Sequence, residues 1–146
     1  MRIARGTSAE HAGWLELRLA LWPAPREEHL GEMALMAANP QRFAAFIAYA
    51  SSEAIGLAEA AMRTDYVNGA QSSPVGFLEG LYVVPHARRK GVARALVAEV
   101  SRWARASGCS ELASDAALAN TASHAVHRAL GFEETERVVY FRKATS

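Results

Sequence analysis

The densest chemistry in this chain lies in seven consecutive residues: Arg88, Arg89, Lys90, Gly91, Val92, Ala93 and Arg94. An apolar run over residues 75–84 precedes them, closed by Pro85, and an amphipathic stretch follows. A strand, a short basic loop and a helix opening on small residues make an anion site. Free amides at a helix N-terminus converge on one point, and the helix dipole favours negative charge there. Gly91 and Ala93 permit close approach of backbone to ligand, and four cationic side chains surround them. The segment is not a Walker loop, because no Gly-Lys-Ser/Thr follows. It is not a dinucleotide fingerprint either, because the three-glycine spacing is missing.

Other groups are weaker candidates. Glu79 interrupts an apolar strand, where an unpaired carboxylate is costly, so it calls for a partner or a role. Asp115 is one of only two aspartates, the other being Asp65. Cys109 invites a nucleophilic reading, but no base neighbours it in sequence and a structural thiol is the better expectation. His124 and His127, three apart on a helix, lack the acidic companions of a metal centre, and no metal is expected.

The elements that position these groups follow from periodicity. Residues 2–5 read as an edge strand. Thr7 to Glu10 has capping-box spacing, predicting a helix with Trp14, Leu17 and Leu21 on one stripe and Leu15, Leu19 and Trp22 beside it. Pro23 and Pro25 stop it, and a second helix is expected over 26–38. Residues 43–49 and 55–63 predict a hairpin, 75–84 a long strand, 91–107 a helix, 111–114 a short strand, 121–130 a helix and 137–142 a last strand. That order predicts an α/β protein, one domain spanning residues 1–146, with a mixed sheet and helices on both faces.

Bulk properties narrow the function classes. With 146 residues, 51% of them hydrophobic, the chain can bury one good core. A net charge of +1 predicts neither a nucleic-acid nor a membrane partner. One cysteine, no apolar leader and no membrane-length segment predict a cytoplasmic protein.

The form Arg-x-x-Gly-x-Ala after an apolar strand resembles the acetyl-CoA pyrophosphate motif of the GNAT superfamily, carried here by Arg88 to Arg94. A second segment resembles the superfamily's later motif: Asn120, Ser123 three residues on, and Gly131-Phe132 closing the helix. Where many members place a tyrosine to protonate the departing thiolate, this chain has His127. Its imidazolium can donate that proton, or it packs beside the pantetheine while solvent donates. The resemblance implies the GNAT acyl-CoA N-acyltransferase fold, acetyl-CoA as co-substrate, and pantetheine paired to the backbone of Leu81, Tyr82 and Val83.

Further segments are similar to the aminoglycoside 6′-N-acetyltransferases nearly end to end. They include Trp14-Leu15-Glu16-Leu17-Arg18 with Leu21-Trp22, Tyr66-Val67-Asn68-Gly69, the run from Ser73 to Gly80, Ala113 to Ala117, and Val138 to Phe141. This resemblance implies transfer of an acetyl group from acetyl-CoA to the 6′-amine of an aminoglycoside antibiotic. Such a polycation needs several carboxylates, and Glu79, Asp115 and Glu136 are the expected set, with Trp22 and Tyr66 as apolar walls. Glu79 sits two residues before Leu81 and is expected on the same face. Asp115 or Glu79 would take the proton from the ammonium, directly or through one water, and a backbone amide near Val83 would hold the oxyanion. The similarity also implies a homodimer, with residues 138–141 as an edge for pairing or exchange. Alternatives are a GNAT enzyme acting on another small amine, such as a polyamine, amino sugar or peptide N-terminus, and a non-catalytic acyl-CoA-binding sensor.

Overall fold

The computed structural model describes all residues, Met1–Ser146, in two compact units, Met1–Asp115 and Ala116–Ser146. The first unit contains one five-stranded sheet: β1 (Arg2–Arg5), β2 (Phe43–Ala50), β3 (Glu53–Arg63), β4 (Val75–Val83) and β5 (Leu112–Ser114), side by side in chain order. The first four pair antiparallel, and β5 joins β4 in parallel. Helices α1 (Trp14–Leu21), α2 (Arg26–Ala38) and α3 (Val92–Ala106) complete the unit.

Alternation along β3 assigns the two faces. Leu57 is fully buried in a cluster with Trp14, Leu17, Met33 and Ile47, which places α1 and α2 on that face. Its neighbour Gly56 points the other way, where an added Cβ would stand 2.9 Å from both Leu96 and Val92 of α3. Gly76 of β4 meets Ala104 at the same distance. Small residues on this face let α3 lie close to the sheet, and they explain why strands so rich in alanine and glycine pair here despite low β-propensity. As its sequence period predicts, α3 buries Val92, Leu96, Val97, Val100, Trp103 and Ala104. Each large apolar side chain among them contributes on the order of 1.5–3 kcal/mol.

Three expectations are corrected. The capping box at Thr7 to Glu10 caps nothing: the chain turns through it, and α1 starts at Trp14 behind Gly13. Gly13 has φ +86°, and a Cβ there would strike that of Ala54 at 2.3 Å, so close contact with β3 sets the start of the helix. Leu19, expected beside the core stripe, is exposed, and Arg18 is buried in its stead. Residues 137–142 form no strand. Periodicity marked them as apolar, but a strand also needs a neighbour to pair with, and periodicity does not supply one.

The second unit carries α4 (Thr121–Ala129). The Asn120 side chain accepts the Ser123 amide at 3.1 Å and caps its start. Gly131, with φ +95°, ends it, and the Phe132 amide returns to the His127 carbonyl at 3.0 Å.

Candidate active site

The site begins where β4 loses a neighbour. β5 pairs with β4 only along Gly76, Phe77 and Leu78, so no strand of the sheet pairs the same edge over residues 79–83. At that point Glu59 of β3 faces Gly80, while Ala60 faces Leu78, which makes Glu79 the extra residue of a β-bulge. The bulge breaks the two-residue alternation, so Glu79 and Leu81 cannot be assigned one face by spacing, contrary to expectation.

Beyond the bulge, hydrogen-bond parity fixes which backbone groups are available. The Val84 amide donates to Ile55 at 2.9 Å, so Val84 faces β3 and the preceding Val83 turns its amide and carbonyl away from β3. The Val83 carbonyl accepts from Arg88 Nε at 2.8 Å, which leaves its amide directed along the open edge. By the same parity Leu81 also points outward, and Tyr82 is engaged with β3. An extended amide-bearing arm can therefore add to this edge through Leu81 and Val83 alone, a refinement of the expected three-residue pairing.

The basic loop continues directly. A single 3₁₀ turn, Pro85–Ala87, leads to Arg88, whose guanidinium closes back on Val83. Arg89, at φ +62°, and Gly91, at φ +84°, then swing the chain into α3. No side chain caps the first turn of α3, and no acidic residue occupies it. Arg88, Arg89, Lys90 and Arg94 are exposed around amides of Val92 and Ala93 that lack a side-chain partner. This end of the helix is electrically ready for a pyrophosphate.

Two acidic residues flank the same gap. Ser114 pairs with Leu78, so Asp115 and Glu79 are the next residues along two neighbouring strands as these part. Asp115 and Glu79 are both exposed, and Glu79 accepts from Arg63 at 2.7 Å, an ion pair that contributes little at the surface. Trp22 ends α1, and two atoms of its indole would lie 2.4 Å from a Cβ on Gly80: the ring rests on the bare backbone next to the bulge. Tyr66 is 78% exposed in the loop over residues 64–74. The structure thus brings Trp22, Glu79, Gly80 and Asp115 to one end of the strands, with Tyr66 on a loop before β4.

Glu136, Asn120, Ser123 and His127 belong to the second unit. There His127 Nδ1 lies 2.7 Å from the Ser123 carbonyl, which only accepts, so Nδ1 carries the proton. Its ring also meets Phe132 edge-on at 5.2 Å between centroids. Glu136 lies in a segment without helix or strand. Cys109 is buried 3.3 Å from the Met62 sulfur, and burial pushes its thiol pKa up, which disfavours a nucleophilic role.

An open strand edge feeding an uncapped, basic helix start is the geometry that the sequence motif implies, and comparison with known proteins agrees. Residues 12–132 match the Acetyltransferase (GNAT) family. The chain belongs to that family. It is 49% identical to the aminoglycoside N(6′)-acetyltransferase type 1 of Acinetobacter haemolyticus, across 98% of each chain. It is 53% identical to that of Salmonella enteritidis, across 94% of this chain and 93% of the relative. The crystal structure of the A. haemolyticus aminoglycoside 6′-N-acetyltransferase superimposes with a TM-score of 0.95 at 48% identity, covering all of both chains. A further relative, solved with the bisubstrate analogue CoA-S-monomethyl-acetylneamine, superimposes with a TM-score of 0.89 at 47% identity over 99% of each chain.

Beneath the β4 bulge, sequence reasoning missed one group of residues. Arg18 and Glu59 are both about 97% buried, and His29 is 99% buried. Arg18 occupies the core position one turn after Trp14, and Glu59 lies in the apolar run from Ile55 to Met62. A charge inside each apolar pattern was the available signal. Burial raises the pKa of Glu59, opposed by Arg18 and by the Trp14 hydrogen bond.

Proposed function

We propose that this chain is an acetyl-CoA-dependent aminoglycoside 6′-N-acetyltransferase, with residues 1–146 acting as one GNAT domain. The observation that carries this reading is the near full-length identity of about half to aminoglycoside N(6′)-acetyltransferases, together with an open β4 edge leading into the basic start of α3.

Leu81 and Val83 hold the pantetheine arm along the strand edge. The amides of residues 91–94, with Arg88, Arg89, Lys90 and Arg94, hold the pyrophosphate. The resemblance to the superfamily's later motif also assigns Asn120, Ser123 and His127 to acetyl-CoA binding. On the amine side, Glu79, Asp115 and Glu136 attract the polycation, while Trp22 and Tyr66 flank its sugar rings. Asp115 or Glu79 takes the ammonium proton, directly or through one water, so that the nitrogen can attack the thioester carbon. A backbone amide near Val83 stabilises the oxyanion that forms. The new C–N bond replaces the C–S bond, and the released thiolate takes a proton from His127 or solvent. No covalent enzyme intermediate is needed.

The test follows free CoA thiol with a matched pair of aminoglycosides, one bearing a 6′-amine and the other a 6′-hydroxyl. Turnover with the amine alone establishes reaction and regiochemistry. Turnover with neither, despite bound acetyl-CoA, returns the search to polyamines and other small amines.

A homodimer belongs to the same reading. Val138, Val139, Tyr140 and Phe141 are consecutive, apolar and largely exposed, with Phe141 at 91%. Such a run without a strand partner is suited to pairing between copies. Light scattering is expected to give a dimer, and Tyr140→Asp with Phe141→Asp a monomer. A monomeric wild type at working concentration refutes the arrangement.

A further inference from the structure

Beneath the bulge lies a buried charged group that the mechanism above does not use. Trp14 Nε1 donates to Glu59 Oε2 at 2.7 Å. Arg18 Nε approaches the same oxygen at 3.3 Å without hydrogen-bond alignment, and Arg18 Nη2 donates to Glu32 at 2.8 Å. Arg18 Nη1 and His29 Nδ1 are buried with no hydrogen-bond partner. An apolar pair of similar volume is often as stable as a buried ion pair, and an orphaned buried donor is a net cost. Stability therefore does not account for this arrangement.

Its geometry converges on Trp22. The Arg18 guanidinium carbon lies 5.1 Å from the Trp22 ring centroid. The Trp22 amide donates to the Arg18 carbonyl at 2.9 Å. His29 Nε2 donates to the Trp22 carbonyl at 3.1 Å. Glu59 is the strand partner of Gly80, the residue on which the indole rests. The ring is thus held by Arg18, supported by Gly80, and tied through its backbone at both the amide and the carbonyl.

We infer that Arg18, anchored by Glu59, is a positioning residue that fixes the Trp22 indole over Gly80 and so sets affinity for the aminoglycoside, not the rate of acetyl transfer. This inference rests on the reading of Trp22 as a wall of the amine site. Arg18 touches neither Glu79 nor Asp115 by any ion pair or hydrogen bond in the structure. The guanidinium restricts the ring through its cation–π contact, and a pre-set aromatic wall avoids an ordering cost when substrate binds.

The test uses full-length enzyme and neamine. The variant Arg18→Met/Glu59→Gln removes both charges together, fills the space, and keeps an acceptor for Trp14. It is compared with Trp22→Ala and with the triple variant. Trp22→Ala is expected to raise the neamine KM roughly tenfold, as loss of an aromatic anchor does. The double variant is expected to raise it about three- to tenfold, with kcat and the acetyl-CoA KM unchanged. The triple variant should then equal Trp22→Ala, because the effects share one ring. Gly80→Ala gives a second route: its Cβ displaces the indole without touching the buried charges. It too should raise the neamine KM in the wild type and not in Trp22→Ala. If Trp22→Ala leaves the neamine KM unchanged, the substrate-wall reading fails and the inference falls with it. If Trp22→Ala raises KM but the double variant does not, or the effects multiply in the triple, the inference alone is overturned.

Discussion

Asp115→Asn is expected to lower kcat by roughly 10²- to 10⁴-fold, the range that a positioned general base supplies, while acetyl-CoA still binds. The expectation follows from topology. Asp115 and Glu79 are the first residues beyond the last β4–β5 pair, Leu78 with Ser114, so both stand where the two strands part. Asparagine keeps the shape and a hydrogen-bonding oxygen but cannot take a proton at neutral pH. Glu79→Gln is the companion variant, and it separates the roles. If Asp115 is the base, Glu79→Gln raises the aminoglycoside KM and largely spares kcat, because Glu79 then contributes charge only. If Glu79 is the base, the pattern inverts. Thiol release measured at saturating acetyl-CoA, beside calorimetric titration of CoA, distinguishes them. Full activity in both variants would sink the assignment of the acid–base site.

The second large effect is on stability. Arg18→Met alone is expected to destabilise the fold by about 3–5 kcal/mol, because it strands a buried carboxylate. The companion Arg18→Met/Glu59→Gln should recover most of that loss. The single variant should also be sensitive to pH in a definite direction. Burial already raises the Glu59 pKa, and Arg18 is the leading influence that opposes the rise. Without Arg18 the folded-state pKa climbs further above the unfolded value. A raised carboxyl contributes stability below its unfolded pKa and loses it as pH rises through the folded one. The deficit of Arg18→Met should therefore be larger at pH 8 than at pH 5, whereas the double variant shows no such difference. Urea unfolding at the two pH values measures it. Equal deficits at both would mean that water reaches Glu59 and that the pair is not truly buried.

The loop and helix start over residues 88–94 were legible in the chain because they form locally. A loop that turns at Gly91 and opens an amphipathic helix needs only neighbouring residues to form, and α3 buries the six side chains that its period marks. The cap of α4 by Asn120 and its stop at Gly131 are local for the same reason. The family itself was legible, since the resemblance runs through segments along nearly the whole chain.

What only the tertiary structure decided depends on contacts between residues distant in sequence. The start of α1 is set by Gly13 against Ala54, not by the hydroxyl and carboxylate beside it. The bulge at Glu79 exists only in the register with β3, so no spacing rule could place that carboxylate. Leu81 and Val83 were separable from Tyr82 only by the parity of bonds across the β3–β4 pair. The Arg18–Glu59 pair joins residues 41 positions apart, a pairing that exists only once α1 lies on the sheet. Residues 137–142 show the same limit: their apolar character is written in the chain, but a strand is a relation between two segments. One segment, read alone, carries half of it.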